Sequence, residues 1–300
     1  MLSNIYEEPN VLKDIIDDFE EKQRDFKEFV EKEKPRNWLI FATGSSANAL
    51  WSAKYYIEKI AGVTIDIQEP AAFLHYEKIK SSIDFILAVS QSGRSTSTIR
   101  ALKETRTTRN IPSAVLTSNL ESPITEFTDL VIDIGCGIEH VGFVTKGFSA
   151  TVLTFMLMGI TTGTVLNQLT TEEAGRELKK LEKAVGEILE VIEKSEFFYS
   201  QHADELIAIP RFAIIGYGPT YGIAKEGETK FTETIRVPTT GYEMETFLHG
   251  PFLEINQSYG LIFLQTRNLL KKRSEKMKQY FSRYTEHCLT ITTDNGIDDG

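Results

Sequence analysis

The chain contains 300 residues, 41% of them hydrophobic, and carries a formal net charge of −10 at pH 7. This length and hydrophobic content are sufficient for one large domain or two modest ones. The negative charge is unfavourable for contact with nucleic acid or an anionic membrane surface, so we exclude these two classes of partner.

The cysteines and the apolar runs indicate in which cellular compartment the protein functions. Cys136 and Cys288 lie far apart and lack metal-ligand spacing, which predicts two reduced, buried thiols and no bound metal. The longest apolar stretch, residues 151–160, has the length of a core helix and is too short to cross a bilayer. The acidic N-terminus is unlike a secretory signal. We therefore expect a cytoplasmic protein without a membrane segment.

The first half of the chain alternates short strands with helices. Apolar residues at helical spacing predict one amphipathic helix over residues 10–33, before Pro35. Strands are then predicted at residues 37–41, 63–67, 83–89, 113–116 and 130–134. Helices are predicted at residues 47–60, 97–108 and 148–159. This alternation is typical of βαβ units and predicts an α/β fold with a parallel, doubly wound sheet.

The same pattern begins again after an amphipathic connecting helix at residues 171–195. A strand, a glycine turn and a helix occur at residues 38–60 and again at residues 211–234, which indicates an internal duplication. Two further strands are predicted at residues 261–264 and 288–291, on either side of a helix at residues 268–284.

These elements divide the chain into four segments. They are an N-terminal helix, a first α/β subdomain, a connecting helix and a second α/β subdomain, at residues 1–36, 37–165, 166–195 and 196–300. The second subdomain is shorter than the first, so we expect it to lack its closing strand and helix.

Hydroxyl-rich turns follow two of the predicted strands, at residues 43–46 and 90–96. Small side chains at the start of a helix let the backbone approach an anion, although a capped turn without a ligand has the same composition. In a parallel sheet both turns would face the crevice beyond the carboxyl ends of the strands. The fingerprints GxGxxG and GxxxxGK[ST] are both absent, so neither a dinucleotide nor a nucleotide site is predicted.

Charged residues of the second half supply candidates for proton transfer. Glu226, Lys230 and Glu233 share one face of a predicted helix that follows a glycine turn. Such a row is often a solvated surface, but a helix that begins at a strand end borders the ligand crevice. His249, in a His-Gly-Pro turn, is either an acid–base group or an exposed turn residue.

Together these motifs resemble the sugar isomerase (SIS) family, in particular the isomerase half of glutamine–fructose-6-phosphate aminotransferase and the fructosamine-6-phosphate deglycases. The resemblance covers residues 38–292. Its motifs are, in order, Gly44-Ser45-Ser46, Ser90-Gln91-Ser92-Gly93-Arg94-Ser95, Glu139 with Thr145-Lys146, Glu226 with Lys230 and Glu233, and His249-Gly250-Pro251.

The resemblance implies two SIS subdomains, each a five-stranded parallel sheet between helices in a flavodoxin-like, three-layer αβα arrangement. It also implies a homodimer or higher oligomer with active sites shared between subunits. The ligand would be a phosphorylated sugar or amino sugar, and no cofactor is implied.

The resemblance further implies a role for each site residue. Sugar and phosphate would be bound by Ser45, Ser46, Ser90, Gln91, Ser92, Gly93, Arg94, Ser95, Glu139 and Thr145. Glu233 would move a proton between C1 and C2, supported by Glu226 and Lys230. His249, from the neighbouring subunit, would open the sugar ring.

Two departures from the family pattern bear on the substrate. Arg94 stands where the aminotransferases have glutamate, and no C-terminal lysine corresponds to the one that forms an imine in those enzymes. The function we expect first is a deglycase of fructosamine or glucose-amino acid 6-phosphates. The alternatives are a phosphosugar isomerase or amino-sugar phosphate deaminase, and a non-catalytic regulator that binds sugar phosphate.

Overall fold

The computed structural model describes residues 1–140 and 142–293, and the chain divides into two compact units, Met1–Lys194 and Ser195–Gly300. Each unit contains its own parallel sheet with helices packed against it. The prediction of an α/β chain with two parallel-sheet halves is therefore confirmed.

The first unit is built on a five-stranded parallel sheet with the strand order β2-β1-β3-β4-β5. Strands β1 to β5 cover Asn37–Phe41, Thr64–Gln68, Phe85–Val89, Ser113–Thr117 and Leu130–Asp133. Alternate residues of β1 enter different cores, with Trp38 and Ile40 on one face of the sheet and Leu39 and Phe41 on the other. Both faces are therefore covered, as a three-layer αβα arrangement requires.

Three helices precede this sheet, so the prediction of one helix over residues 10–33 is wrong. Helices α1, α2 and α3 cover Leu2–Asp17, Phe19–Lys22 and Arg24–Glu33. The helical path breaks at Asp18 and at Gln23, where ψ is 13° and −3°. At the second of these breaks, the side chain of Gln23 is buried and accepts a hydrogen bond from Thr161 Oγ1. The sequence pattern misses these breaks because the apolar spacing continues through them.

The remaining helices of the first unit cover the two faces of the sheet. Helices α4 to α8 are Ser45–Ala61, Pro70–Tyr76, Thr96–Thr108, Lys146–Val165 and Thr171–Gly186. On one face Leu50 of α4 and Phe155 of α7 belong to the larger core, and on the other Phe73 of α5 and Leu102 of α6 belong to the smaller one. A short 3₁₀ turn, Pro123–Phe127, precedes β5.

Helix α7 is long and apolar enough to cross a bilayer, by length and composition only. Two thirds of its apolar window is buried inside the structure, however. It packs against α1, α3, α4 and α8, which is the position of a central core helix.

Helix α9, Ile188–Ala208, runs across the boundary between the two units. The connecting helix predicted at residues 171–195 is therefore two helices, because α8 ends at Gly186 and α9 extends beyond residue 195.

The second unit contains a four-stranded parallel sheet with the order β7-β6-β8-β9. Strands β6 to β9 cover Arg211–Gly216, Thr239–Glu243, Tyr259–Gln265 and Cys288–Thr292. Helices α10, α11 and α12 cover Pro219–Lys230, Met244–Phe247 and Lys271–Phe281. A π-helical turn, Phe231–Ile235, continues α10, and a 3₁₀ turn covers Pro251–Glu254.

One expectation about the second unit is corrected, and one of its strands was not predicted. The resemblance implies five strands, whereas the described part of this unit has four. Strand β7 is not predicted from the sequence, because Thr-Thr-Gly-Tyr-Glu lacks an apolar run. The predicted lack of a closing strand and helix concerns the chain after Thr293, which lies outside the described residues.

The two cysteines are both free thiols. Cys136 is buried, as predicted, and burial raises the pKa of its thiol. Cys288 is only half-buried, at the start of edge strand β9, so the prediction of full burial is wrong for this residue.

Candidate functional site

The turn Ser90–Ser95 joins β3 to the N-terminus of α6. It is closed by the Gly93 amide, which donates to the carbonyl of Ser90 at 3.0 Å, and Gly93 has a φ of +64°. Ser90 is buried, Ser95 is half-buried, and Ser92 and Arg94 are exposed. The turn therefore combines hydroxyls with the positive end of a helix, an arrangement that suits an anion.

A second hydroxyl turn lies at the same edge of this sheet. It follows β1, and β1 and β3 are hydrogen-bonded neighbours, with Phe41 paired to Ala88 near their ends. Ser45 and Ser46 form the first turn of α4, behind Gly44 at φ +57°. In the strand order β2-β1-β3-β4-β5, the direction of connection reverses between β1 and β3, where ligands of such sheets bind.

Glu139 lies at the centre of a network next to the serine turn. Its two carboxylate oxygens accept hydrogen bonds from the backbone amides of Thr145 and Gly147, at 3.1 Å and 3.0 Å. They also accept from Gln91 Nε2 and Asn4 Nδ2, each at 2.8 Å. With four intramolecular donors on Glu139, the geometry favours an organising role over direct contact with a sugar. Thr145, whose amide is one of these donors, is itself buried.

Helix α1 provides further contacts to this region that the sequence reading missed. Glu7 forms an ion pair with Lys146 at 2.6 Å, and Glu8 accepts a hydrogen bond from Ser149 Oγ at 3.2 Å. These partners are some 140 positions apart in the chain. No local spacing in the sequence signals such a contact.

Glu8 is the titratable group that this packing perturbs most clearly. Burial raises the pKa of its carboxyl to about 7, the Ser149 hydroxyl works against the shift, and the charge of Glu139 adds to it. Between its ordinary pKa of 4.5 and this value, Glu8 is protonated in the folded chain and ionised in the unfolded one. The free energy of unfolding should therefore fall as the pH rises through this window.

We expect Glu8→Gln to remove this pH dependence, since the amide stays neutral at every pH. Relative to wild type, the variant should gain on the order of 2 kcal/mol of unfolding free energy between pH 4.5 and pH 7. Urea denaturation at both pH values measures the difference. Glu20→Gln, at an exposed position of α2, is the control and should track wild type. Parallel pH profiles for wild type and Glu8→Gln would contradict the assignment.

The second unit brings three of its predicted site residues together. Lys230 Nζ lies 2.7 Å from Glu233 Oε2 and 3.4 Å from Glu226 Oε1. Glu226 is buried, the side chain of Lys230 is 15% exposed, and that of Glu233 is 34% exposed. The lysine thus bridges a buried carboxylate and a partly accessible one, which orients Glu233 while leaving it reachable by a ligand.

Glu233 lies in the π-helical turn rather than in α10 itself. The turn is closed by the amide of Arg236, which donates to the carbonyl of Phe231 at 2.9 Å, five residues back. Arg236 then leaves the helix with a φ of +57°. Single π-helical turns inside helices occur frequently at functional sites. Sequence spacing places Glu233 on the correct face but does not reveal this turn.

His249 lies on a separate, exposed turn of the second unit. Its amide donates to the carbonyl of Thr246 at 3.0 Å, and Gly250 follows at φ +128°. Arg273 binds the neighbouring carboxylate of Glu245 and lowers its pKa, and His249 contributes to that shift. The imidazole is therefore accessible and lies within electrostatic range of an acidic group.

The glycine turns after β1 and β6 share one backbone conformation. Gly44 precedes α4 with φ +57° and ψ −137°, and Gly218 precedes α10 with φ +54° and ψ −126°. This region of φ and ψ is accessible essentially to glycine alone. The shared geometry supports the internal duplication that the sequence predicts.

Within residues 1–140 and 142–293, no group of three histidine, cysteine, aspartate or glutamate side chains has the arrangement of a metal site. The chemistry that the described groups offer is anion binding in the first unit and proton transfer in the second.

Residues 33–161 match the family model of the SIS domain. Glutamine–fructose-6-phosphate aminotransferase of Chlamydia caviae is 28% identical over 270 residues, which cover 87% of this chain and 43% of that protein. The aminotransferase of Bordetella pertussis is 24% identical over 307 residues, covering 99% of this chain and 49% of that protein. The chain thus spans about half the length of the curated relatives it matches.

The C-terminal domain of glucosamine-fructose-6-phosphate aminotransferase from Francisella tularensis has a similar structure, with a TM-score of 0.88 at 20% identity. That match covers 99% of this chain and 89% of the other, so it includes the second unit. At this identity the likeness shows the fold. Residues 33–161 thus match a SIS domain, and the resemblance predicted from the motifs is confirmed.

Proposed function

We propose that the protein is a phosphosugar-processing enzyme of the SIS type. The phosphate would lie at the edge of the first sheet, held by Ser46, Ser90, Ser92 and Ser95 and by the amides that begin α4 and α6. Ser45 and Gly93 shape the two turns, and exposed Arg94 is available to the phosphate or to the other end of the substrate. The relatives of similar sequence are aminotransferases that act on fructose 6-phosphate, as their names state.

The contact between Lys230 and Glu233 carries this proposal. It holds a partly exposed carboxylate in one orientation at 2.7 Å, with a buried second carboxylate behind the lysine. A general base must be fixed yet accessible in this way, because proton transfer depends first on geometry. Glu233 is therefore assigned as the acid–base group, and Glu226 and Lys230 as its support.

We propose deglycation of a fructosamine 6-phosphate as the reaction. Glu233 takes a proton from C1 of the open-chain ketosamine while the carbonyl oxygen at C2 gains a proton, which gives an enaminol. Glu233 then returns its proton to C2, and the nitrogen loses its N–H proton, so that the net change is one proton moved from C1 to C2 and one from nitrogen to the C2 oxygen. The product is an imine at C1. Water adds to this imine and expels the amine, so that one water is consumed and an aldose 6-phosphate is released.

His249 is assigned as the acid that protonates the ring oxygen and opens the sugar. Its exposure on the second unit leaves the imidazole free to enter the site of a neighbouring subunit, as the resemblance implies. We accordingly propose a homodimer with shared active sites. The free thiols of Cys136 and Cys288 fit a reducing, cytoplasmic compartment.

A phosphosugar isomerase or amino-sugar phosphate deaminase is the second candidate. It needs the same base and phosphate site but no amino acid as leaving group. Glucosamine-6-phosphate deaminase from Thermotoga maritima shares the fold, with a TM-score of 0.77 at 18% identity over 98% of this chain. A regulator that binds sugar phosphate without turnover is third, because the Glu226–Lys230–Glu233 cluster then has no use.

Product analysis with three substrates separates these functions. With fructose-lysine 6-phosphate and related ketosamine phosphates, a deglycase releases free amine and aldose 6-phosphate in equal amounts. Ammonia from glucosamine 6-phosphate would favour the deaminase, and interconversion of glucose and fructose 6-phosphates the isomerase. Binding of all three sugars without product would leave only the regulator.

A further inference from the structure

We propose that Asn4, in the first turns of α1, is a positioning residue for Gln91 and acts through the carboxylate of Glu139. This inference rests on the proposed function, since it gives a role in substrate binding to a helix outside the sheet edge. Asn4 and Gln91 donate to different oxygens of Glu139, each at 2.8 Å. Asn4 therefore holds the carboxylate through the oxygen that Gln91 does not use.

The backbone of Gln91 is already fixed, which leaves its side chain as the variable part. Its carbonyl accepts hydrogen bonds from Thr117 Oγ1 at 3.1 Å and from the amide of Ser118 at 3.0 Å, both at the end of β4. The side chain contacts the thiol of Cys136 and donates from Nε2 to Glu139 at 2.8 Å, and the bond to the charged carboxylate is the stronger of the two. Losing the orientation of Glu139 would loosen the amide group without moving the turn itself.

Gly147 shows how closely this network is packed. A Cβ at Gly147 would lie 1.8 Å from Gln91 Nε2 and 2.7 Å from Glu139 Oε2. The start of α7 therefore admits only a bare backbone beside the two side chains. The amide of Gly147 uses this closeness to donate to Glu139 at 3.0 Å.

A second contact attaches α1 to the same segment. Glu7, one turn after Asn4, pairs with Lys146, whose side chain is only 14% exposed. Lys146 directly precedes Gly147, whose amide donates to Glu139. The ion pair therefore holds α1 next to this amide. The helix is thus attached to this region by Asn4 and Glu7, in addition to the contact of Glu8 with Ser149.

The substitution Asn4→Ala tests the proposal, with Asn10→Ala as its matched control at an exposed position of the same helix. Loss of a hydrogen bond to a charged group should raise KM for the sugar phosphate about fivefold to tenfold and leave kcat within about twofold. A protein that is only destabilised would instead lose active fraction, and hence apparent kcat, at unchanged KM. Asn10→Ala should behave as wild type.

A double-mutant cycle with Gln91→Ala identifies the route of the effect. If Asn4 acts through Gln91, the double variant should bind no more weakly than Gln91→Ala alone. Additive losses of affinity would overturn the proposal, as would a change in kcat alone.

Hydrogen exchange separates this inference from the proposed function. In Asn4→Ala the amides of Thr145 and Gly147, which donate to Glu139, should exchange faster than in wild type, while Asn10→Ala leaves them unchanged. If wild type binds no sugar phosphate, the proposed function fails, yet faster exchange would still show that Asn4 orders Glu139. Unchanged exchange in Asn4→Ala would overturn the positioning role directly.

Discussion

Replacing Glu233 by glutamine is expected to lower kcat by about 10²–10⁴-fold while leaving the affinity for sugar phosphate within about twofold of wild type. Glutamine keeps the size of the side chain and can still accept a hydrogen bond from Lys230, so the local structure should persist. It cannot take a proton from C1, and turnover should therefore fall to this residual rate. Steady-state kinetics and calorimetric titration with the same ligand measure the two quantities.

The control for this experiment is Glu275→Gln, at an exposed position of α12. It makes the same chemical change away from the cluster and should leave both kcat and affinity unchanged. If Glu233→Gln retained near-normal kcat, the glutamate would have no part in proton transfer. If it lost affinity and kcat together, its role would be in binding.

The second large effect is expected for Gly93→Ala in the serine turn. The added methyl group would lie 1.8 Å from Ser122 Oγ and 2.3 Å from Ser122 Cβ, and Gly93 has a φ of +64°. A left-handed alanine costs about 1–2 kcal/mol, and overpacking a buried site costs about 1–3 kcal/mol more. The turn can relieve the clash only by moving its hydroxyls, so affinity for sugar phosphate should fall by at least about tenfold.

Two further variants separate the causes of this loss. Gly175→Ala, in α8, adds a methyl group where no atom lies within 4 Å, and should leave the affinity unchanged. Gly93→Ala combined with Ser122→Gly removes the clash but keeps the strained φ. The double variant should therefore regain the unfolding free energy lost to overpacking, but not the part lost to the strained φ. Denaturant unfolding gives the stabilities and calorimetry the affinities. A folded Gly93→Ala protein with wild-type affinity would contradict the placement of the phosphate.

Local patterns predicted the parts of this fold that depend on short stretches of sequence. The strands of the first sheet are apolar runs, apart from the alternating β2. The serine turn and the Glu226–Lys230–Glu233 face follow from spacing along a few residues. Strand β7 has no such run. It pairs with β6 alone and packs against α10, so its identity depends on the assembled unit.

The contacts of α1 could not be predicted for a different physical reason. Asn4 and Glu139 are 135 positions apart, and neither residue type signals the other. The sequence pattern likewise cannot show that the carboxylate of Glu139 accepts hydrogen bonds from within the protein. Those bonds come from the backbone amides of Thr145 and Gly147, whose positions depend on the fold. The sequence predicted the chemical groups near the site, and the three-dimensional packing decides which of them face a ligand.

The backbone conformation that Gly44 and Gly218 share affects what a comparison of related sequences can reveal. Both glycines are required by the geometry of a strand-to-helix turn, yet two serines follow the first, while Pro219 and Thr220 follow the second. Among homologues, invariance of these two glycines would therefore report the requirement of the turn geometry and nothing about ligand binding. The neighbouring positions, free to change without breaking the turn, are where selection for a substrate would be visible.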